Sequence, residues 1–293
     1  MNRKIFDIVK EHDIHPISYI KKGNIYIVSS KDKSYVIKLN TSNYDIYKYL
    51  ISRDFFDFPE NFNKKNDNYD LSEYIDEIKI NKDQKINDLI EELGILHKKT
   101  AYQRDLDIDN IKLIYENIKE DSLKSKDYYL KLNDLIDKEI FLSPSMYLLV
   151  RNISLIYYLL DYSYREIDNW YNKIIKEKSM RVSLNHNNID INHLIINDKK
   201  YLISWDKSSF DSPINDIIEF YKKYYHNLSL EDVLKIYESK NKLNNLEKEL
   251  LLIKLSLPSI VKLSKNTFLD TKEIYEEILF LNKIYDEIKR NKK

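Results

Sequence analysis

The sequence predicts an α+β fold, in which a small antiparallel sheet precedes a larger, mostly helical region. Between Ile14 and Leu39, short runs of β-forming residues are separated by KKG and KDK, the pattern of strands joined by hairpins. From Asp83 onwards, apolar residues recur at helical spacing. One further β-forming stretch interrupts the helical region, from Arg181 to Tyr201.

The remaining elements follow the same order along the chain. The pattern from Tyr44 to Ile51 predicts a short helix, and the polar cluster from Asn61 to Asp70 predicts a surface loop. Long amphipathic helices are broken near Leu142-Ser143-Pro144, and helices return from Leu228. We therefore expect an N-terminal lobe over residues 1–75 and a helical C-terminal lobe over residues 76–293.

Composition excludes several kinds of function. The 48 Lys and Arg residues balance the 48 Asp and Glu residues, so no net charge attracts the chain to nucleic acid or anionic lipid. Without cysteine there are no disulfides, thiolate metal ligands or cysteine nucleophile. Charges interrupt the apolar residues at the N-terminus, and no stretch is long enough to span a membrane. We expect a cytoplasmic protein with a small-molecule or protein partner.

Glycine is scarce, and this restricts phosphate binding. Only Gly23 and Gly94 are present, whereas glycine-rich phosphate loops need several glycines for tight turns and close backbone approach. A standard glycine-rich phosphate loop is therefore excluded.

Three stretches carry polar residues at informative spacing. A strand ends in Tyr35-Val36-Ile37-Lys38, and a second stretch reads Leu71-Ser72-Glu73-Tyr74-Ile75. The third runs from His186 through Leu202-Ile203-Ser204-Trp205-Asp206 to Pro213-Ile214-Asn215-Asp216. Together they resemble the aminoglycoside and choline kinase-like phosphotransferases over most of the chain. The resemblance implies a two-lobed, protein-kinase-like fold.

The resemblance also implies a nucleotide site, with ATP or another nucleotide as the cofactor. Lys38 matches the lysine that holds the nucleotide phosphates in such kinases, and Asp45 would be its acidic partner. Glu73, Tyr74 and Ile75 match the hinge whose backbone receives the adenine ring.

The catalytic loop departs from the family pattern H-G-D-x-x-x-x-N. His186 is retained, but Asn188 stands at the position of the catalytic aspartate and His193 at that of the magnesium-binding asparagine. In the following I-D-W-[ED] motif, Ser204 replaces the metal-binding aspartate. The framework around these positions is kept, including Trp205 and the structural Asp216.

These replacements predict little catalysis. Asparagine cannot accept a proton, and loss of a positioned general base typically costs ~10²- to 10⁴-fold in rate. Magnesium prefers hard oxygen ligands, which His193 and neutral Ser204 supply poorly, so we expect weak or absent Mg²⁺ binding. Asp190, on the same loop, and Asp206, on the same strand face as Ser204, are the candidate substitutes.

Three hypotheses follow. The first is a non-catalytic kinase-fold protein (a pseudokinase) acting as a binding or assembly module, and a narrower resemblance to spore-coat-associated kinase-like proteins implies a spore-coat location. The second is an active ATP- and Mg²⁺-dependent phosphotransferase acting on a hydroxyl acceptor, with a rearranged metal site. The third is a helical interaction protein with a β appendage, which the lack of a five-stranded sheet between Ile14 and Ile75 would favour.

Overall fold

The computed structural model describes residues 3–65, 67–264 and 266–291. The helices are α1 (Arg3–Glu11), α2 (Tyr44–Ser52), α3 (Lys82–Thr100), α4 (Ile108–Ile136), α5 (Pro144–Ile174), α6 (Ile214–Tyr224), α7 (Leu230–Glu238), α8 (Asn245–Leu255) and α9 (Thr267–Asn291). The strands are β1 (Ser18–Lys22), β2 (Ile25–Ser29), β3 (Ser34–Leu39), β4 (Tyr69–Glu73), β5 (Tyr102–Asp105), β6 (Ser179–Asn185), β7 (Leu194–Ile196), β8 (Lys200–Leu202) and β9 (Ser209–Asp211). The α+β fold class is confirmed.

The N-terminal sheet is antiparallel, in the order β1-β2-β3-β4. It has four strands, and a single-residue bridge between Asn61 and Ser72 adds to its β4 edge. One face packs on α1, a helix that the sequence analysis did not predict, through Ile5, Val9, Val28 and Ile37. The predicted loop from Asn61 to Asp70 ends two residues too late, because β4 already begins at Tyr69.

The chain divides into two compact units whose boundaries differ from the predicted lobes. Residues 3–101 and 183–211 form unit 1, and residues 102–182 and 212–291 form unit 2. Unit 1 includes α3, where Tyr49 Oη of α2 donates to Thr100 O (3.1 Å), and it includes the β7–β8 hairpin. Two backbone hydrogen bonds connect the hairpin to the N-terminal region. Ile78 N donates to Ile196 O (2.9 Å), and Leu202 N donates to Asp57 O (2.8 Å).

Unit 2 is mostly helical, as expected. The helix α5 packs against α4, α8 and α9, and the predicted break between α4 and α5 is present, with the Ser143 hydroxyl capping Met146 N. The strand β5 was not predicted, and it pairs antiparallel with the first half of β6. None of the helices described has the length and hydrophobicity that a bilayer-spanning segment requires.

Candidate active site

His186, which opens the loop that matches the family's catalytic motif, is buried and connects two backbone segments. His186 follows β6 and is 1% exposed. Its Nε2 lies 2.8 Å from the carbonyl oxygen of Ile203, and since a carbonyl only accepts, Nε2 carries the proton. The His186 ring meets that of Trp205 edge-on, with centroids 4.9 Å apart. His186 therefore connects this loop to the segment that follows β8.

The next residue has a backbone conformation that favours glycine. Asn187 stands at the glycine position of the family motif and has φ +53°, a left-handed conformation that asparagine tolerates better than most residues. Its side-chain amide donates to Lys207 O (3.1 Å) and Ser209 Oγ (2.7 Å). The sequence analysis did not single out Asn187, although an Asn at a motif glycine is itself a signal for left-handed backbone.

Asn188 and His193 contact each other instead of presenting ligands for a metal. The Nδ1–H of His193 donates to the carbonyl oxygen of Asn188 (2.7 Å), which fixes the tautomer of that ring. The Asn188 side-chain amide approaches Ser204 O at 3.4 Å, a weak contact. The loop is thus closed by neutral hydrogen bonds at the positions that carry acid and metal ligands in the family motif.

Asp190 is held in a structural role. It caps the 3₁₀ turn Ile191–His193, where its Oδ1 accepts from Asn192 N (2.8 Å) and its backbone carbonyl accepts from His193 N (2.9 Å). For Asp190 to act as a base, the turn that positions His193 would have to lose its cap.

Ser204 adopts a strained conformation that the sequence did not reveal. Its φ of +69° and ψ of +54° are left-handed, which is uncommon for serine. The strand β8 ends at Leu202, and Trp205–Lys207 form a 3₁₀ turn. Ser204 and Asp206 therefore do not share a strand face, and that expectation was wrong because the strand ends before both residues.

Lys38 makes its ion pair with Asp206. Lys38 Nζ lies 2.6 Å from Asp206 Oδ1, with the two side chains 29% and 26% exposed. The predicted partner Asp45 instead lies exposed in the first turn of α2. Burial raises the pKa of Asp206, but the hydrogen bond and charge of Lys38 outweigh it, so that the pKa lies below its usual value and the carboxylate is ionised.

A second carboxylate near Lys38, that of Asp70, was not identified by the sequence analysis. Asp70 on β4 is the register partner of Lys38 on β3, and its carboxylate accepts from Asn43 Nδ2 (3.0 Å) and Asn61 Nδ2 (2.9 Å). Burial raises the pKa of Asp70, while the two amides and Lys38 lower it by a smaller amount. Its position follows from the β3–β4 register, which depends on a strand that the sequence analysis began two residues late.

Two backbone N–H groups of the stretch from Leu71 to Ile75 donate hydrogen bonds to carbonyl oxygens of the same unit. Glu73 N donates to Glu60 O (2.8 Å) and Tyr74 N donates to Ser34 O (2.8 Å). The Glu73 carboxylate pairs with Lys33 (3.2 Å), so it is held at the end of β4. Among the described residues, Ile75 N–H has no such partner.

The residues present do not fit a magnesium ion. Within the described ranges, no group of three or more His, Asp or Glu side chains is arranged to hold a metal. The Asp206 carboxylate is engaged by Lys38, Nδ1 of His193 is engaged by Asn188 O, and Ser204 is neutral. Asp216, the retained structural aspartate of the motif, is fully buried in the first turn of α6 and belongs to unit 2.

Solved structures of small-molecule kinases match almost the whole chain. An aminoglycoside phosphotransferase from Alicyclobacillus acidocaldarius superposes with a TM-score of 0.65 at 10% identity, covering 96% of this chain and 95% of that one. The chain has the fold of the aminoglycoside phosphotransferases and choline kinases. AMP-bound spectinomycin phosphotransferase APH(9)-Ia gives a TM-score of 0.54 at 15% identity, covering 97% and 98% of the two chains.

Choline kinase LicA from Streptococcus pneumoniae superposes with a TM-score of 0.50 at 13% identity, covering 97% of this chain and 99% of that one. No protein-family model and no curated protein sequence matches the chain. The predicted kinase-like fold is confirmed even though the N-terminal sheet has four strands rather than five, and the hypothesis of an unrelated helical protein is set aside. At these identities the likeness concerns the fold alone.

Proposed function

We propose that this chain is a non-catalytic kinase-fold protein that acts as a binding or assembly module. The proposal rests on one observation above all: Asn188 stands at the position of the catalytic aspartate and has no basic group, and its carbonyl and amide groups contact His193 and Ser204. The other positions of the motif support it. His193 and Ser204 stand at the metal-binding positions, and the Asp206 carboxylate is paired with Lys38 at 2.6 Å.

The chemistry of phosphoryl transfer explains why these features matter. The reaction depends on a metal and on positioned charge that offset the negative phosphates, and on a residue that orients the attacking hydroxyl. Here Lys38 is paired, the metal positions hold His193 and Ser204, and the base position holds an amide. We expect turnover to be absent, while a nucleotide could still bind if its phosphates displace Asp206 from Lys38.

The direct test is a pair of measurements on the purified chain. Thermal shift with ATP, with and without Mg²⁺, reports binding, and phosphate release reports turnover with and without a hydroxyl acceptor such as choline or an aminoglycoside. The expected result is no phosphate release above the buffer rate, and a thermal shift that does not depend on Mg²⁺. Mg²⁺-dependent release that disappears in Asp190→Ala or Asp206→Ala would overturn the proposal.

Restoring the residues of the family motif should produce the Mg²⁺-dependent thermal shift that we expect the native chain to lack. The triple change Asn188→Asp, His193→Asn and Ser204→Asp restores the residue types of the family motif. Aspartate tolerates the left-handed backbone at position 204 better than serine does, so this change does not add strain. We expect the triple variant to gain a Mg²⁺-dependent thermal shift with ATP, whereas Asp45→Asn, an exposed control on α2, gains none.

The second candidate is an active phosphotransferase with a rearranged metal site. It is favoured by the ionised, partly exposed Asp206 carboxylate beside Lys38. This function requires Asp206 to leave Lys38, and it predicts that Asp206→Asn abolishes turnover. The spore-coat location remains a prediction from sequence resemblance, and locating a tagged chain in sporulating cells would test it.

A further inference from the structure

The helix α3 in unit 1 carries a buried carboxyl group that is not part of the candidate active site. Glu92 is 2% exposed, and its Oε1 has no hydrogen-bond partner among the residues that the structure describes. Burying a polar atom without a partner costs free energy, and the cost is larger when the group is charged. Burial of Glu92 therefore favours its neutral, protonated form.

The ionisable groups around Glu92 form a mostly acidic cluster. Asp57, in the segment that follows α2, contacts Glu92, while Asp88 and Glu91 lie on α3 itself. Lys200 on β8 pairs with Asp88 (2.9 Å) and with Glu91 (2.5 Å). Besides Glu92, this cluster therefore holds three carboxylates and one ammonium group, and ionised Glu92 would add a fourth negative charge to it.

Protonated Glu92 makes a hydrogen bond that ionised Glu92 cannot make. Burial is the largest cause of its raised pKa of about 8, and the charge of Asp57 adds to it while Lys200 opposes it. A hydrogen bond with Asp57 also raises this pKa, so the protonated Glu92 carboxyl donates and the Asp57 carboxylate accepts. Loss of the proton replaces this hydrogen bond with repulsion between two carboxylates.

Asp57 lies in the middle of residues 54–58, which we call the 54–58 segment. The backbone carbonyl oxygen of Asp57 accepts from Leu202 N at the end of β8 (2.8 Å). Phe55 in the same segment packs edge-on against Trp205, with ring centroids 6.1 Å apart. Asp57 therefore connects to α3 through its side chain and to β8 through its backbone.

Other contacts of this region do not depend on the charge of Glu92. Lys99 and Lys199 each donate to a backbone carbonyl oxygen of the 54–58 segment at 2.6 Å. The 3₁₀ turn Ile191–His193 also packs against α3, and its ionisable neighbours contact backbone of their own loop: Asp190 accepts from a backbone N–H, and His193 donates to a backbone carbonyl oxygen. The contact between Glu92 and Asp57 is therefore the one that a proton on Glu92 controls directly.

We propose that Glu92 and Asp57 form a pH switch, which holds the 54–58 segment on α3 while Glu92 is protonated and releases it when Glu92 ionises. The contact is closed at neutral pH and opens under mildly alkaline conditions. Because Asp57 also accepts from Leu202 N, opening loosens the end of β8 and the packing of Phe55 on Trp205. The switch belongs to the fold of unit 1 and does not depend on whether the chain transfers phosphate.

The fluorescence of Trp205 tests the switch. The chain has two tryptophans, so Trp170→Phe leaves Trp205 as the only one. Between about pH 6 and about pH 9.5, the Trp205 emission shifts to longer wavelength with a midpoint near 8. Glu92→Gln, which keeps the size of the side chain and a hydrogen-bond donor, abolishes the transition. Glu91→Gln, the neighbouring control on α3, retains it.

A second variant distinguishes the switch from a purely structural role of Glu92. Asp57→Asn removes the negative charge beside Glu92, so the midpoint of the transition moves to lower pH. A structural defect alone would change the size of the transition and leave its midpoint in place. Amide hydrogen exchange adds a local measurement: the Leu202 amide exchanges faster across the transition than base catalysis alone explains. The Ile78 amide, which donates to Ile196 O elsewhere in unit 1, does not.

Three results would overturn the inference. They are a Trp205 emission that does not change over this pH range, a transition that persists in Glu92→Gln, and a midpoint that Asp57→Asn does not lower. Urea denaturation at neutral pH confirms that each variant is folded. Neither ATP nor phosphate release enters these measurements, so they are independent of the test of the proposed function.

Discussion

The segment from His186 to Asp206 has a buried side and a half-exposed side, and they differ in what they retain. His186 and Trp205 are each 1% exposed and match the kinase motif. Asn188, His193 and Ser204 are partly exposed and depart from it. The buried residues stabilise the fold by packing, and the fold is compatible with the replacements at the partly exposed positions.

We expect the largest loss of stability from a substitution on the buried side of this segment. Trp205 donates from Nε1 to Leu202 O (3.0 Å) and packs edge-on against the rings of Phe55 and His186. Trp205→Ala should lower the free energy of unfolding by ~3–5 kcal/mol, through lost burial and the cavity left behind. Urea denaturation measures it. Asn188→Ala, on the half-exposed side, should lower the free energy of unfolding by less than ~1 kcal/mol. Equal losses at Trp205 and Asn188 would contradict the distinction between the two sides.

The buried carboxyl of Glu92 extends the comparison to the pH dependence of stability. Glu92 on α3 is 2% exposed, and burial, reinforced by the charge of Asp57 and opposed by Lys200, raises its pKa from 4.5 to about 8. Because folding raises this pKa, the protonated form is favoured in the native state. The contribution of Glu92 to stability is complete below pH 4.5 and is lost as the pH rises towards 8.

Glu92→Gln should therefore stabilise the native state at high pH, because it removes the cost of charging a buried carboxyl. The expected gain is on the order of 3 kcal/mol at pH 9, and little change is expected near pH 4. Urea denaturation at pH 4, 7 and 9 measures it. Glu91→Gln is the neighbouring control, since Glu91 pairs with Lys200 at 2.5 Å and should lose stability instead. An unchanged pH profile in Glu92→Gln would contradict the prediction.

On the half-exposed side, the effect should appear in binding rather than in stability. Asp206→Asn removes the anion that neutralises Lys38, so ATP affinity should rise by about 3- to 10-fold, in line with a partly exposed charge-assisted pair. Titration with a fluorescent ATP analogue measures it, with Asp45→Asn as the exposed control on α2. A fall in affinity in Asp206→Asn would instead indicate that Asp206 assists the nucleotide.

The smallest expected effect concerns backbone strain. Ser204 has φ +69°, where glycine is comfortable and serine is not. Ser204→Gly should raise the free energy of unfolding by about 0.5–1 kcal/mol. Ser208→Gly is the matched control, since Ser208 has φ −61° and gains nothing from glycine. Destabilisation by both changes would show that the conformation at position 204 carries no strain.

Much of the fold and part of the site could be predicted from the sequence. The hairpins β1-β2-β3, the helix α3 and the break before α5 follow local patterns of β-forming and apolar residues. The replacement of acid by Asn188 and Ser204 is a matter of residue identity and spacing, so it was visible at once. The helix α1 was missed because its charged residues outweighed the three apolar ones that it buries.

Only the tertiary structure decided which groups meet. The partner of Lys38 is Asp206, 168 residues away, rather than Asp45 seven residues away, and such pairing depends on how several elements pack. The left-handed backbone at Asn187 and Ser204 and the raised pKa of Glu92 depend likewise on surroundings made by distant residues. The sequence by itself determined which side chains were available for the reaction, and the packing of unit 1 determined which of them lie within reach of Lys38.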